Sequence, residues 1–193
     1  MINLRERRRI EMAREIQLST LELIKRDGFG SVTTEAISRH LGISQRTFFN
    51  YYANKEAALM GETPTIPKEA IEVFLTGSDN FYVSLYKLML ANTLSLTARR
   101  NELLIVHELM DSYPKLSQIR LAGMTTLRDE LSSVLTQKLP TYSSLVLVIL
   151  SDMLLSSAWS GIELWLRDSI DLDKAFDQSW SALMEASNLL IPS

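Results

Sequence analysis

Residues 33–52 read TTEAISRHLGISQRTFFNYY and contain the clearest helix start and stop signals of the chain. The hydroxyl of Thr33 or of Thr34 can cap a first helix, because a threonine oxygen accepts a hydrogen bond from a backbone N–H of the first turn. Gly42 provides the permissive backbone on which a helix ends tightly, and Ser44 can cap a second helix directly afterwards. This pattern predicts two short helices joined by a tight turn, which is a helix-turn-helix.

The second of these helices is predicted to carry a polar surface on its outer face. Phe48 and Tyr52 lie four residues apart, so both side chains are expected to point inward. At about 100° per residue, Arg46, Thr47 and Asn50 then point away from the core. Arginine pairs with guanine edges, and asparagine or glutamine pairs with adenine edges, so this face suits the reading of DNA bases. Taken alone, the same pattern also fits an ordinary helical hairpin with a solvated polar face.

The informative pattern extends on both sides of the hairpin, over residues 28–56. It is carried by Gly28, Phe29, Thr33, Ile37, Gly42, Ile43, Ser44, Thr47, Tyr51, Tyr52, Lys55 and Glu56. In this register the segment resembles the N-terminal domain of the TetR family of transcriptional regulators. The resemblance covers residues 5–60 closely and the rest of the chain only by helical layout. Agreement over this length is far more specific than a helix-glycine-helix motif alone.

The resemblance implies that the second helix lies in the major groove of a double-stranded DNA operator. Two positions depart from the commonest family pattern. Arg46 stands where glycine is frequent and adds a guanine reader, whereas Phe49 stands where tyrosine is frequent and lacks the hydroxyl that could bind a phosphate. The expected base-facing residues are Gln45, Arg46 and Asn50, the expected phosphate-binding residues are Thr33, Thr47, Tyr51 and Lys55, and Thr34, Ser44 and Phe49 complete the DNA-binding set.

The net charge of the chain is −3, but positive charge is concentrated in the segment that carries the motif. Residues 1–60 hold ten Lys and Arg against seven Asp and Glu, whereas the remainder holds ten against sixteen. An electrostatic footprint for phosphates requires such segregation, although the run Arg7-Arg8-Arg9 is equally typical of a solvated helix face. Residues 1–9 are expected to form a flexible basic arm that reaches along the DNA backbone or into a minor groove.

Gly61, Pro64 and Pro67 interrupt the helical pattern within seven residues and predict a domain boundary. We expect a helix-turn-helix DNA-binding domain over residues 1–60 and a helical effector-binding and dimerisation domain over residues 61–193. No strand alternation appears, so the predicted fold class is all-α. A first helix is predicted from about Ile10 to Gly28, and a fourth, which Asn54 can cap, runs through about Met60. Later helices are predicted at about 68–75, 79–97, 100–111, 114–138, 142–168 and 173–190.

Composition indicates a cytoplasmic globular protein. With 46% hydrophobic residues the chain can bury a full core, and its lack of cysteine fits a reducing compartment. No apolar signal segment follows Met1. Residues 145–166 are apolar and long enough to span a membrane. Asp152 and Glu163, however, lie three turns apart on the same face of this segment and favour a buried helix in a soluble bundle.

The same segment carries small residues at spacings of three and four. Such a surface lets another helix approach closely, either inside the monomer or across a homodimer seam shared with the last helix. The resemblance favours the homodimer, and the expected interface residues are Ser157, Ser160 and Gly161.

The helices predicted between residues 79 and 138 carry many methionines and tyrosines. A stripe of such residues is usually plain core. Adaptable methionines together with a few polar groups are also typical of ligand pockets, and the resemblance implies that small-molecule effectors bind in these helices. We therefore expect a mainly apolar or aromatic effector. The expected ligand-binding residues are Phe81, Tyr82, Tyr86, Met89, Thr93, His107, Met110 and Met124.

The chain has few of the residues that commonly act in catalysis, with two histidines and no cysteine. His107 and Asp111 could share a helix face as a base and its orienting carboxylate, but no nucleophile elbow, phosphate loop or zinc spacing occurs. We expect neither an enzyme nor a bound cofactor or metal. The favoured function is a transcriptional repressor released from a palindromic operator by its effector. The alternative is an architectural or chromosome-associated DNA-binding protein that responds to no small molecule.

Overall fold

The computed structural model describes residues 4–168 and 170–190. Within these residues the chain contains ten α-helices and a short 3₁₀ helix at Thr97–Arg99, with no strand, so the predicted all-α class is confirmed. Helix bounds from residue 68 onward lie within a few residues of those predicted. The helices are α1 Leu4–Asp27, α2 Thr34–Leu41, α3 Gln45–Phe49, α4 Lys55–Met60, α5 Lys68–Thr76, α6 Phe81–Leu94, α7 Arg100–Met110, α8 Pro114–Lys138, α9 Ser144–Arg167 and α10 Leu172–Asn188.

Local capping chemistry sets the start of several helices. Thr33, rather than Thr34, caps α2, because its Oγ1 accepts from the backbone N–H of Ala36 at 3.1 Å. Asn54 caps α4 in the same way, through Oδ1 and the N–H of Ala57 at 2.8 Å. Each cap satisfies a donor that has no partner within the helix.

Helix α1 begins at Leu4, six residues before the predicted start at Ile10. The basic run is therefore helical, and the expected flexible arm is wrong for the described residues 4–9. The physical reason is propensity, since arginine and glutamate are good helix formers and no glycine or proline occurs before Gly28. Gly28 then ends the helix as predicted, with a φ of 82° and its N–H donating to Ile24 O at 2.9 Å.

One compact unit comprises the described chain up to Thr63 together with Asn101–Ala122. Its core contains fully buried apolar side chains from the first four helices. Val106 and Met110 of α7 and Leu116 of α8 belong to the same core. The sequence predicted a first domain of residues 1–60 only, without the Asn101–Ala122 segment.

A second compact unit comprises Pro64–Arg100 and the described residues from Gly123 onward. Its core includes Phe74, Met89, Leu131 and Phe176, each at most 1% exposed. The most extensive helix-to-helix contact in the described part of this unit is between α9 and α10. These two helices approach closely because the facing side chains are small, as described below.

Helix α9 is the described helix that is long and apolar enough to span a membrane by length and composition, a test that core helices of soluble proteins also pass. One of its faces is buried in the second unit, through Leu154, Leu155 and Ala158. Its glutamate is engaged locally, since Glu163 Oε1 accepts from Trp159 Nε1 at 2.8 Å. These contacts agree with the predicted role as a core helix of a bundle.

Candidate nucleic-acid interface and effector region

The turn between α2 and α3 is closed by Gly42. This residue adopts the left-handed conformation, with φ 67° and ψ 26°, and its N–H donates to Arg39 O at 3.2 Å. The N–H of Ile43 then reaches back to Ser38 O at 3.0 Å, and the Ile43 side chain packs against the core of the first unit. Both bonds satisfy carbonyls at the end of α2, which fixes the direction in which the chain enters α3.

Helix α3 is short and firmly seated. Ser44 caps it, with Oγ accepting from the N–H of Thr47 at 3.0 Å. Phe48 is fully buried, and buried Tyr52 donates from its hydroxyl to Ala13 O of α1 at 3.1 Å. The regular helix ends at Phe49, earlier than the prediction through Tyr52. Residues 50–51 form a turn in which the Tyr51 N–H donates to Phe48 O at 2.9 Å.

The outer face of α3 is free to meet another molecule. Gln45, Arg46 and Asn50 are exposed, and 51% of Phe49 is exposed beside them. The Arg46 guanidinium makes no hydrogen bond or ion pair with any residue that the structure describes. Because the helix is held from behind by buried aromatic residues, these polar side chains project from a rigid support. Their placement agrees with the predicted face for base edges.

The expected phosphate-binding hydroxyls also serve as caps, and each site keeps a proton to donate. Thr33 Oγ1 accepts from a backbone N–H, so its own O–H remains available. The hydroxyl oxygens of Ser44 and Thr47 lie 2.8 Å apart, so one hydroxyl donates a hydrogen bond to the other. The hydroxyl that accepts this bond keeps its own O–H and can donate to a phosphate oxygen.

Lys55 has a role that the sequence pattern did not reveal. Its Nζ donates to the carbonyl oxygens of Phe29 at 2.7 Å and Val32 at 2.9 Å, and it lies 4.5 Å from the centroid of the Phe29 ring. Two of the three ammonium donors are therefore used to hold the turn between α1 and α2 against α4. One donor remains for a phosphate, so the predicted contact stays a prediction.

The remaining predicted residues lie on the flanks of the hairpin. Thr34 is half-buried, and its carbonyl accepts from Ser38 Oγ at 2.8 Å. Tyr51 is half-buried and lines a groove together with Thr47 and Asn50. The structure thus brings Thr47, Asn50 and Tyr51 to one surface, at the end of the helix-turn-helix.

Comparison with known proteins agrees with this geometry. Residues 18–59 match the model of a family described as bacterial regulatory proteins, tetR family. These residues contain the whole helix-turn-helix. Over these residues the chain is similar to the TetR family, and the structures below share its fold. A Syntrophomonas wolfei protein assigned to the TetR family of transcriptional regulators superposes with a TM-score of 0.64 at 15% identity, over 94% of this chain and 97% of that one.

Two further TetR-family structures share the fold over most of their length. FadR of Thermus thermophilus, a transcriptional repressor in complex with lauroyl-CoA, gives a TM-score of 0.57 at 20% identity over 94% of this chain and 96% of that one. NalD of Pseudomonas aeruginosa, the secondary repressor of the MexAB-OprM multidrug efflux pump, gives 0.59 at 18% identity over 91% and 96%. At these identities the likeness shows the fold alone. Comparison with curated protein sequences gives no significant match.

The eight expected effector residues are divided between the two units. His107 and Met110 lie in the first unit, where Met110 is part of the core. The other six lie in the second unit, where Met124 lines a cavity that is described below. Met89 and Thr93 are at most 1% exposed, and Thr93 Oγ1 donates to Met89 O at 3.0 Å. Phe81 packs edge-on against the ring of Phe74.

Tyr82 and Tyr86 tie α6 to α10. The Tyr86 hydroxyl donates to the Asp177 carboxylate, which is the main reason that the pKa of Tyr86 is raised to about 12. Tyr82 Oη accepts from Trp180 Nε1 at 2.9 Å, and the rings of Tyr86 and Trp180 are 5.5 Å apart. Both tyrosines therefore act as packing residues in this structure, with their hydroxyls already paired.

Described residues of the second unit line an apolar cavity and a separate cleft. A cavity of about 50 Å³ lies among apolar side chains, with Met124 from the predicted set and buried Asn92 in its lining. A cleft of about 400 Å³ lies between α5 and α6, with Phe74 and Leu88 in its lining. The cleft contains none of the predicted ligand-binding residues, because the sequence pattern singled out α6 to α8 and passed over α5.

The outer surface of α9 and α10 forms a shallow groove of about 530 Å³. Ser157 and Ser160 line it, and Ser157 donates to Ser179 O of α10 at 2.8 Å. Gly161 is buried against α10 of the same chain, since a Cβ at this position would lie 2.7 Å from Ser179 Oγ. Of the predicted seam residues, only Ser160 is fully exposed on this surface.

Proposed function

We propose that this protein is a homodimeric transcriptional repressor that binds a pseudo-palindromic DNA operator and is released from it by a small apolar or aromatic molecule. The observation that carries the proposal is the seating of α3. Phe48 seats the helix in the core of the first unit and Tyr52, just after it, donates to Ala13 O of α1. The polar side chains of Gln45, Arg46 and Asn50 are exposed on the other side. A rigid helix with free guanidinium and amide groups suits base edges in a major groove.

A dimer is proposed because each chain carries one helix-turn-helix. Two such motifs, related by a two-fold axis, would bind two half-sites about 34 to 36 Å apart or a multiple of that distance. The surface of α9 and α10 is proposed as the seam. Apolar Leu145 and Ile149 are 68% and 50% exposed there, and small Ser156 and Ser160 let a partner helix approach.

The effector is proposed to enter the second unit. Ligand pockets usually measure about 300 to 1,000 Å³, so the cavity of about 50 Å³ beside Met124 must enlarge to hold an effector. Methionine side chains adapt easily, and Asn92 offers a polar group that could orient a guest. That FadR of Thermus thermophilus holds lauroyl-CoA supports an apolar ligand for this fold.

Release requires the effector to bind one shape of the dimer better than another. We propose that it favours a dimer whose two recognition helices no longer fit adjacent major grooves. Each tenfold loss of operator affinity then needs about 1.4 kcal/mol of difference in effector affinity between the two shapes.

The test begins with selection of binding sites from a pool of random duplexes by the full-length protein, followed by sedimentation at micromolar concentration. A palindromic consensus and a dimer are expected; equal affinity for all duplexes, or a monomer, would contradict the proposal. A thermal-shift screen of apolar compounds then identifies ligands, and each is tested for operator release. Ligands that stabilise the protein but leave DNA affinity unchanged would favour the architectural alternative.

A further inference from the structure

The first turns of α1 and the end of the helix-turn-helix enclose a groove of about 800 Å³, here called the basic groove. Arg5, Arg8 and Arg9 form one wall. Thr47, Asn50 and Tyr51 lie in the opposite wall. The helical start of α1 creates this groove, because a flexible arm would not place three guanidinium groups beside α3.

Helical geometry selects which arginines enter the groove. At about 100° per residue, Arg5 and Arg8 share a face of α1 with Met12, whereas Arg7 lies on the opposite face. Met12 is half-buried and packs against the core of the first unit, so this face is anchored one turn after Arg8. The arginines are therefore held on a seated helix and lose less conformational freedom on binding than arginines on a loose arm.

Two of the three arginines in the groove have no ionic partner among the residues that the structure describes. Arg9 pairs with Glu62 at 2.8 Å. Arg5 and Arg8 are exposed and form no ion pair with any residue that the structure describes. The described residues that line the groove include no carboxylate, while the Tyr51 and Thr47 hydroxyls add neutral donors. Two free guanidinium groups facing hydroxyl donors constitute a site for a polyanion.

We infer that the basic groove holds one strand of the DNA backbone beside the recognition helix, with Arg5 and Arg8 each binding a phosphate. This inference rests on the proposed DNA binding and adds a contact outside the helix-turn-helix. DNA is the occupant favoured by position, since the groove shares Asn50 and Thr47 with the face that meets the bases. Phosphate contacts from a rigid helix fix the register of the protein on DNA and carry no base preference.

The experiment measures binding of the full-length protein to a fluorescein-labelled duplex of mixed sequence, several helical turns long, over a series of KCl concentrations. Arg5→Ala and Arg8→Ala are compared with the wild type. The matched control is Arg7→Ala, which removes the same charge from the same turn of α1 but on the opposite face. Each groove variant is expected to reduce the salt slope by about one unit and to weaken binding several-fold in low salt, whereas Arg7→Ala changes both much less.

Three outcomes would overturn the inference while leaving the proposed function intact. These are wild-type affinity for both groove variants, an equal loss for all three variants, and a loss confined to AT-rich duplexes, which would instead indicate insertion into a minor groove. If the wild type itself shows no affinity for duplex DNA, the proposed function fails first. Arg5→Lys and Arg8→Lys should restore most of the salt slope, and circular-dichroism melting shows that all the variants are folded.

Discussion

Lys55 Nζ lies 2.7 Å from the carbonyl oxygen of Phe29, and the same atom lies over the ring of that residue at 4.5 Å. The contact joins the start of α4 to the turn that follows α1, across 26 positions of sequence. A lysine in the first turn of a helix is ordinarily unfavourable, because the positive end of the helix dipole lies there. The two carbonyl acceptors compensate for that position and make Lys55 part of the support behind the helix-turn-helix.

Lys55→Ala is expected to lower the stability of the protein by about 1 to 3 kcal/mol, because it removes two hydrogen bonds from a charged donor. Urea unfolding measures this change, and Lys25→Ala at an exposed position of α1 is the control. If the third N–H also binds a phosphate, DNA affinity falls evenly for all sequences and the salt slope drops by about one unit. An altered base preference would contradict both roles.

Gly61→Ala is expected to be more damaging than the same change at two other glycines. Gly61 has φ 75° and ψ −168°, a region essentially restricted to glycine, and a Cβ there would lie 2.4 Å from Gln17 Nε2. A loss of about 1 to 3 kcal/mol from backbone strain alone is expected, increased by displacement of the Gln17 side chain.

The glycine series separates strain from crowding. Gly28 has a φ of 82° but open space around it, so Gly28→Ala should cost about 1 to 2 kcal/mol through strain only. Gly30 has neither feature, so Gly30→Ala should be neutral or stabilising by up to about 1 kcal/mol. Thermal unfolding of the three variants gives the order, and equal effects at all three positions would refute this account of Gly61.

Arg46→Ala and Asn50→Ala are expected to relax base preference at particular operator positions, each by about 1 to 3 kcal/mol of discrimination. Both side chains are exposed, Arg46 on α3 and Asn50 at the residue that follows it, so stability should stay within about 0.5 kcal/mol of the wild type. Site selection from random duplexes measures the preference. Arg26→Ala, an exposed arginine paired with Asp27 at the end of α1, should leave the consensus unchanged.

Ser160→Arg is expected to shift the dimer to monomers while leaving the helix content of the folded protein unchanged, because a large charged side chain would occupy the proposed seam. Thr136→Arg on α8 is a matched control, since Ser160 and Thr136 are both exposed and each donates to the carbonyl four residues earlier. Gly161→Ala should instead lower the stability of the monomer, because its Cβ would crowd α10 of the same chain. A Ser160→Arg dimer as tight as the wild type would move the seam elsewhere.

Tyr86 should titrate later than an ordinary tyrosine. Its pKa is raised from 10.0 to about 12 chiefly by the hydrogen bond to Asp177, so the resulting stabilisation is present below pH 10.0 and is lost as the pH rises through about 12. Ultraviolet titration of the phenols checks this, with Tyr86→Phe used to assign the late step. Asp177→Asn keeps a hydrogen-bond acceptor without the charge and should move that step toward lower pH; an unchanged titration would contradict the assignment.

The amino-acid sequence by itself determined those features that depend on neighbours in the chain. The Thr33 and Asn54 caps act over three residues, and the left-handed Gly42 ends α2 through its own backbone conformation. The inward position of Phe48 follows from helical periodicity alone. The same spacing predicted that of Tyr52, whose N–H still donates to Phe48 O although the residue lies beyond the end of α3. These short-range effects were sufficient for the all-α class, most helix bounds and the outward face of α3. The predicted start of α1 was six residues late, because the arginine-rich segment before Ile10 has a high helix propensity.

Tertiary structure decided those features in which residues far apart in sequence become neighbours. The bonds from Lys55 to the carbonyls of Phe29 and Val32, and the pairing of Tyr86 with Asp177 across 91 positions, have no periodic signal in the chain. In the sequence, Gly161 indicates only that some helix can pack closely against α9. The tertiary structure shows that this helix is α10 of the same chain. Periodicity shows which side of a helix is buried; the partner on that side depends on how the whole chain packs.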